Sequence, residues 1–288
     1  ELRTNPDRVR NPPNLEPGAF TNDQSWLMDE LQDRRSTTDP DYSNWQALIP
    51  DFGDAVARAY RDAAVNHWRH YVPTLQSEGV IRDNHTPYSL IFAMAGLEIQ
   101  AAETADFPHN LNESQVRHAL RYITWELNGF PSWFERMYQA FPALVEEAVI
   151  QELLWELENT EPEKPMHYIL SDVVYHAPWL HHAIAPALLE WVKANPTHIN
   201  TNRHYCLQIL VNGGTDPARL AALASRQIEQ SNDSDSIPWW YALRADCDPV
   251  NGIPEVEQWL SDLDEDAAPR AAQIFVTALM GGRHLRES

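Results

Sequence analysis

The chain has 288 residues, with 21 lysines and arginines against 42 aspartates and glutamates, so its formal net charge is −21. That charge repels phosphate backbones and anionic headgroups, so neither nucleic acid nor a membrane is an expected partner. The longest apolar run, residues 90–97, is far shorter than the roughly 20 residues a bilayer span needs. With 43% hydrophobic residues the composition is that of a folded protein. Two cysteines, Cys206 and Cys247, make no disulfide framework, which points to a reducing cytoplasm.

Only 10 glycines occur, strand-type alternation is hard to find, and apolar residues recur at helical spacing throughout. Residues 1–20 carry Pro6, Pro12, Pro13 and Pro17 and read as an extended arm. One helix is predicted over residues 23–34, and Pro40 and Pro50 punctuate the polar stretch after it, so residues 1–50 form a Pro-rich arm with a single helix. Asp51 or Asp54 opens a long helix to Tyr71, with Val56, Tyr60, Ala63, Ala64 and His67 on one face. Pro73 and Gly79 break it. Thr86 is a good N-cap and Pro87 suits a first turn, predicting a helix to Thr104. Asn112 or Ser114 begins a helix through Leu127, closed by Asn128-Gly129. Pro131-Ser132-Trp133 starts a short one to Phe141, which makes 51–141 an irregular helical subdomain.

From residue 142 the pattern becomes regular. Helices are predicted over 143–158, 165–176, 178–194, 201–211, 217–230, 237–245, 253–263 and 267–280. The last is apolar on nearly all sides, which predicts burial between neighbours. Leu153, Leu189, Leu223 and Trp259 take similar places in alternate helices, 36, 34 and 36 residues apart. The final pair has Pro254 in its first helix, Asp262, Asp264 and Asp266 in the turn, and Arg270 starting the second helix, and so resembles a HEAT-type repeat. Residues 142–288 are therefore expected to be HEAT-like repeats. The expected fold is all-α, an α-solenoid of HEAT-like helix hairpins in an open right-handed superhelix.

The chemistry-bearing residues give little. No glycine precedes a lysine, so there is no P-loop, and no Gly-x-Ser-x-Gly elbow occurs. Among 12 histidines, His67 and His70 lie three apart on one helix, a spacing compatible with one metal. No ligand set completes them, so no metal or cofactor is expected. His176, His181 and His182 flank Pro178-Trp179, and the adjacent pair diverges on a helix. Glu146, Glu147, Glu152, Glu156 and Glu158 crowd one helix in a chain with 11 tryptophans. Paired carboxylates beside aromatic platforms hydrolyse glycosides, so an (α/α)-toroid hydrolase is the alternative reading. The competing reading is interhelical tryptophan packing and a solvated acidic face. The acidic loop around Asn232, Asp233 and Asp235 lacks the glycine and closing glutamate of an EF-hand.

Several segments carry a wider resemblance: Asp51-Phe52-Gly53, Ala59-Tyr60-Arg61-Asp62 and His67-Trp68-Arg69; Pro87-Tyr88-Ser89-Leu90-Ile91-Phe92 and Gly96-Leu97; Glu126-Leu127-Asn128-Gly129-Phe130-Pro131-Ser132-Trp133; Ala140-Phe141-Pro142; and Val276-Thr277-Ala278-Leu279. Over about four-fifths of its length the chain resembles the helical-repeat region of large bacterial NTPases of the NACHT/STAND type. The resemblance implies a non-catalytic segment whose nucleotide-binding module lies elsewhere, acting as sensor or scaffold, in some cases in antiphage defence. It carries no catalytic residue. The chain opens at Glu1 without methionine and ends at Ser288 without a domain-closing pattern, which predicts a piece of a longer protein.

The expected partner is a protein, basic in character, steered by charge and held by exposed aromatics. Trp239 and Trp240 lead the candidate contacts, because neighbours on a helix cannot both face one core. Trp68 and Trp133 come next.

Overall fold

The computed structural model describes residues 1–33, 41–79, 86–126, 128–161, 168–195, 202–231 and 233–283. The expectations on Arg34, Pro40, Leu127, Pro165, Thr201, Asn232 and residues 284–288 lie outside them. The described residues are all-helical, as the spacing predicts, and none of their helices is long and apolar enough to cross a membrane. The chain divides into two compact units, Glu1–Ala148 and Val149–Ser288.

The first unit begins with α1 (Asp7–Arg10), α2 (Asn22–Asp33), α3 (Ile49–Phe52) and α4 (Asp54–Trp68). The leading segment is no free arm. Val9 is fully buried, α1 packs on α4, and Arg10 Nε donates to Asp62 at 2.9 Å. Burying Val9 and Leu2 with Leu27, Met28 and Tyr60 gains more than solvent exposure would. Residues 1–50 thus share one unit with the long helices after them. Gly53, at φ +84°, lets the chain turn sharply from α3 into α4.

Next come α5 (Tyr88–Glu103), α6 (Glu113–Leu120), α7 (Phe134–Ala140) and α8 (Pro142–Asn159), the last running past the end of the first unit. Pro87, not Thr86, is the N-cap of α5, in an extended conformation. Asn112 caps α6 as predicted, its side chain accepting from Gln115 N while the Gln115 side chain accepts from Asn112 N, each at 3.0 Å. Helix α6 stops at Leu120 instead of running on. Tyr122 N and Ile123 N donate three residues back, tightening the chain. This turn aims the Tyr122 hydroxyl at the Trp68 carbonyl (2.9 Å) and Arg121 at Glu78 and the Pro73 carbonyl. Those bonds replace the last helical turns.

The second unit holds the rest of α8, then α9 (Leu170–His176), α10 (His181–Ala194), α11 (Arg203–Asn212), α12 (Pro217–Gln230), α13 (Ile237–Cys247), α14 (Pro249–Asp262) and α15 (Ala267–Arg283). Sequence neighbours pair in space: α10 with α11, α12 with α13, and α13 with α14. Asp216 and Asp248 cap α12 and α14 just ahead of prolines in the first turn. Helix α13 also packs on α15. The latter is not buried all round: Ala271 is buried, but Val276 is 49% exposed. Its partners cover one side only, so its full apolar girth outruns its contacts. Val250 and Ile253 on α14 are exposed as well.

Candidate functional site

The four predicted contact tryptophans separate cleanly. Trp68, Trp133 and Trp240 lie in the core, each at most 1% exposed. The Trp68 indole N–H donates to Gln100 Oε1 at 3.0 Å, so its one polar atom is satisfied inside. None of these three presents a surface to a partner. Trp239 is half-buried and faces a groove. The 100° step between α13 neighbours turns Trp240 inward and leaves Trp239 at the rim.

The groove has a volume of about 270 Å³ and lies within the second unit. Tyr175 from the end of α9, Trp239 and Asp246 from α13, and His204 and Gln208 from α11 line it, and α15 contributes Thr277 and its neighbours. Tyr175 is 56% exposed. Its ring meets Tyr205 edge-on at 6.0 Å; Tyr205 lies 3.7 Å from His204, and His204 is 6.4 Å from Trp239. The aromatics thus form a continuous series. Burial and the adjacent Arg203 guanidinium hold the His204 pKa below its ordinary value, so its ring is neutral at neutral pH. Gln208 Oε1 is buried and has no hydrogen-bond partner among the described residues. Among the described residues, no lysine or arginine lines the groove.

Two stripes build its walls. Leu207, Gln208 and Val211 follow His204 on α11 by three, four and seven residues, and Ala242, Leu243 and Asp246 follow Trp239 on α13 by the same offsets. The stripes are 35 residues apart. Tyr175, His204, Gln208 and Asp246 were missed in the sequence; for the last three this matched spacing was the available signal.

The other candidates are committed to structure. Glu156 is 1% exposed, and its carboxylate accepts from the backbone N–H groups of Tyr168 (3.2 Å), Ile169 (2.8 Å) and Leu170 (2.7 Å). Glu152, also buried, accepts from the Tyr168 hydroxyl at 2.7 Å. The pair closes the start of α9 rather than opening onto substrate. His67 Nε2 lies 3.0 Å from both the carbonyl and the hydroxyl of Ser89, while His70 Nδ1 donates to the Asn66 carbonyl at 2.9 Å. The two imidazoles have different partners. His181 and His182 donate to the carbonyls of Val173 and Gly213. In the acidic loop Asp233 accepts from Ser236 and Asp235 N, and Asp235 pairs with Arg270. Among the described residues no group of three His, Cys, Asp or Glu side chains is placed to hold a metal ion.

His67 sets one testable response. Burial pushes its pKa down to about 4, against the opposing pull of the Ser89 bond. A depressed folded pKa means stability is complete above the ordinary value of 6.5 and is lost as pH falls towards 4. The loss is on the order of 3 kcal/mol. Hydrogen exchange of α4 and α5 amides, corrected for intrinsic rate, should show protection falling across this window, and a His67→Phe variant should flatten the response. An equally steep fall in that variant would assign it to other groups.

Comparison with protein-family models, with curated proteins and with solved structures finds no match to this chain.

Proposed function

We propose that this chain is a non-catalytic helical-repeat segment that binds a protein partner through the aromatic groove of its second unit. In this reading the helices are HEAT-like repeats of an α-solenoid within a larger cytoplasmic NTPase of the bacterial NACHT/STAND type, serving as sensor or scaffold, as in antiphage defence. The observation that carries the reading is the groove itself. Half-buried and exposed aromatics converge there, as they do at the energetic centres of protein interfaces. Its two walls repeat one pattern 35 residues apart, which supports equivalent positions in successive repeats. Neither Cys206 nor Cys247 forms a disulfide among the described residues, in accord with a reducing compartment.

The test is site-specific photo-crosslinking. A benzophenone amino acid at Tyr175, in the full chain, is expected to capture a discrete protein from lysate of the source cells. The same group at Tyr88, 42% exposed on the first unit, is expected not to capture it. Identical products from both positions, or none from Tyr175, would count against the groove as the contact surface.

A further inference from the structure

We infer that the groove takes an arginine side chain presented by a partner peptide. This deepens the function proposed above and rests on it. The inference starts from size. About 270 Å³ lies below the usual small-molecule pocket and is room for one long side chain with its flanking backbone.

Chemistry selects which side chain. Tyr175, His204 and Trp239 offer aromatic rings, and a cation over such a ring is attracted by its quadrupole. The neutral state of His204 keeps that ring from repelling a cation. Asp246, half-buried, adds a carboxylate to the α13 wall. A planar guanidinium stacks on aromatic faces and carries five N–H donors in a fork, so it can lie on the rings while it donates to Asp246. An ammonium is a compact, strongly hydrated point charge and does this less well. A purely apolar side chain would strip water from the half-buried Asp246 carboxylate and replace it with nothing, which is costly. An acidic side chain would meet Asp246 and a chain of net charge −21. That same charge draws a basic peptide towards the groove.

The experiment pans a displayed library of random 12-residue peptides against the full chain, then measures synthetic copies of the enriched peptides in solution. Enriched sequences are expected to share an arginine. Changing that arginine to norleucine should weaken binding about tenfold, and changing it to lysine should weaken it less. Tyr175→Ala and Asp246→Asn should each weaken the arginine peptide by a comparable factor. Tyr175 is mostly exposed, so its variant keeps the fold, and circular dichroism checks both. Peptides that depend on Tyr175 but lack a basic residue would overturn the arginine assignment and leave the groove as a protein-binding site. Peptides indifferent to Tyr175→Ala, or no enrichment above that variant, would overturn both.

Discussion

Replacing Gly96 by alanine is expected to destabilise the first unit by about 3 kcal/mol or more, although alanine is the better helix former by about 1 kcal/mol. The reason is the distance between α4 and α5. A Cβ built on Gly96 would sit 1.9 Å from the Ala64 carbonyl oxygen and 2.3 Å from its carbon. Both are backbone atoms in the middle of a helix, so no side-chain rotation relieves the clash. The helices must move apart, and they carry the core: Val56, Tyr60, Phe92 and Ile99 lie on them and are at most 2% exposed. Separating them opens voids that the surrounding side chains cannot refill. Propensity and packing predict opposite signs here, which makes the test sharp. Thermal unfolding should shift down by about 10 °C, and hydrogen exchange should localise the loss to α4 and α5. A Gly96→Ala variant as stable as the parent would mean that the two helices pack less closely than described.

The same device recurs in the second unit. A Cβ on Gly213 would lie 2.6 Å from the His181 carbonyl oxygen, and one on Gly252 would lie 2.8 Å from Ala245 Cα. Glycine at a helix contact is legible in a sequence only as an oddity inside a helical pattern. The helices themselves are legible, because period and cap coincide: Asp216-Pro217 marks the start of α12 and the loss of periodicity after Gln230 marks its end. What failed was whatever depends on distant partners. Val9 reads as part of a proline-rich arm because its burial comes from α4, far along the chain. Helix α6 ends early because Tyr122 and Arg121 find carbonyls near residue 70. For the site, helical geometry alone divides Trp239 from Trp240, yet it cannot tell which of the two faces inward. Tyr175 joins the groove from another helix, and no local spacing announces that.

Glu156→Ala should loosen the second unit on the order of 3 to 5 kcal/mol, since it leaves three buried backbone N–H groups at the start of α9 without their acceptor. Ile169, the residue before α9, has no capping side chain, so the carboxylate reaching over from α8 performs that task. Its own burial makes this cap pH-sensitive. Desolvation raises the Glu156 pKa to about 7 against the lowering effect of its three donors. Between 4.5 and 7 the folded chain therefore holds a proton that the unfolded chain has released. Stability from this residue is complete below 4.5 and is lost as pH rises to about 7, by roughly 3 kcal/mol. That is the reverse of the response at His67, so hydrogen exchange should show protection of α4 and α5 growing with pH while that of Tyr168, Ile169 and Leu170 declines. Glu156→Gln keeps an acceptor and removes the charge, so it should abolish the decline while costing less than alanine. Parallel pH profiles for the two regions, or an unchanged slope in the glutamine variant, would show that buried Glu156 does not set the response.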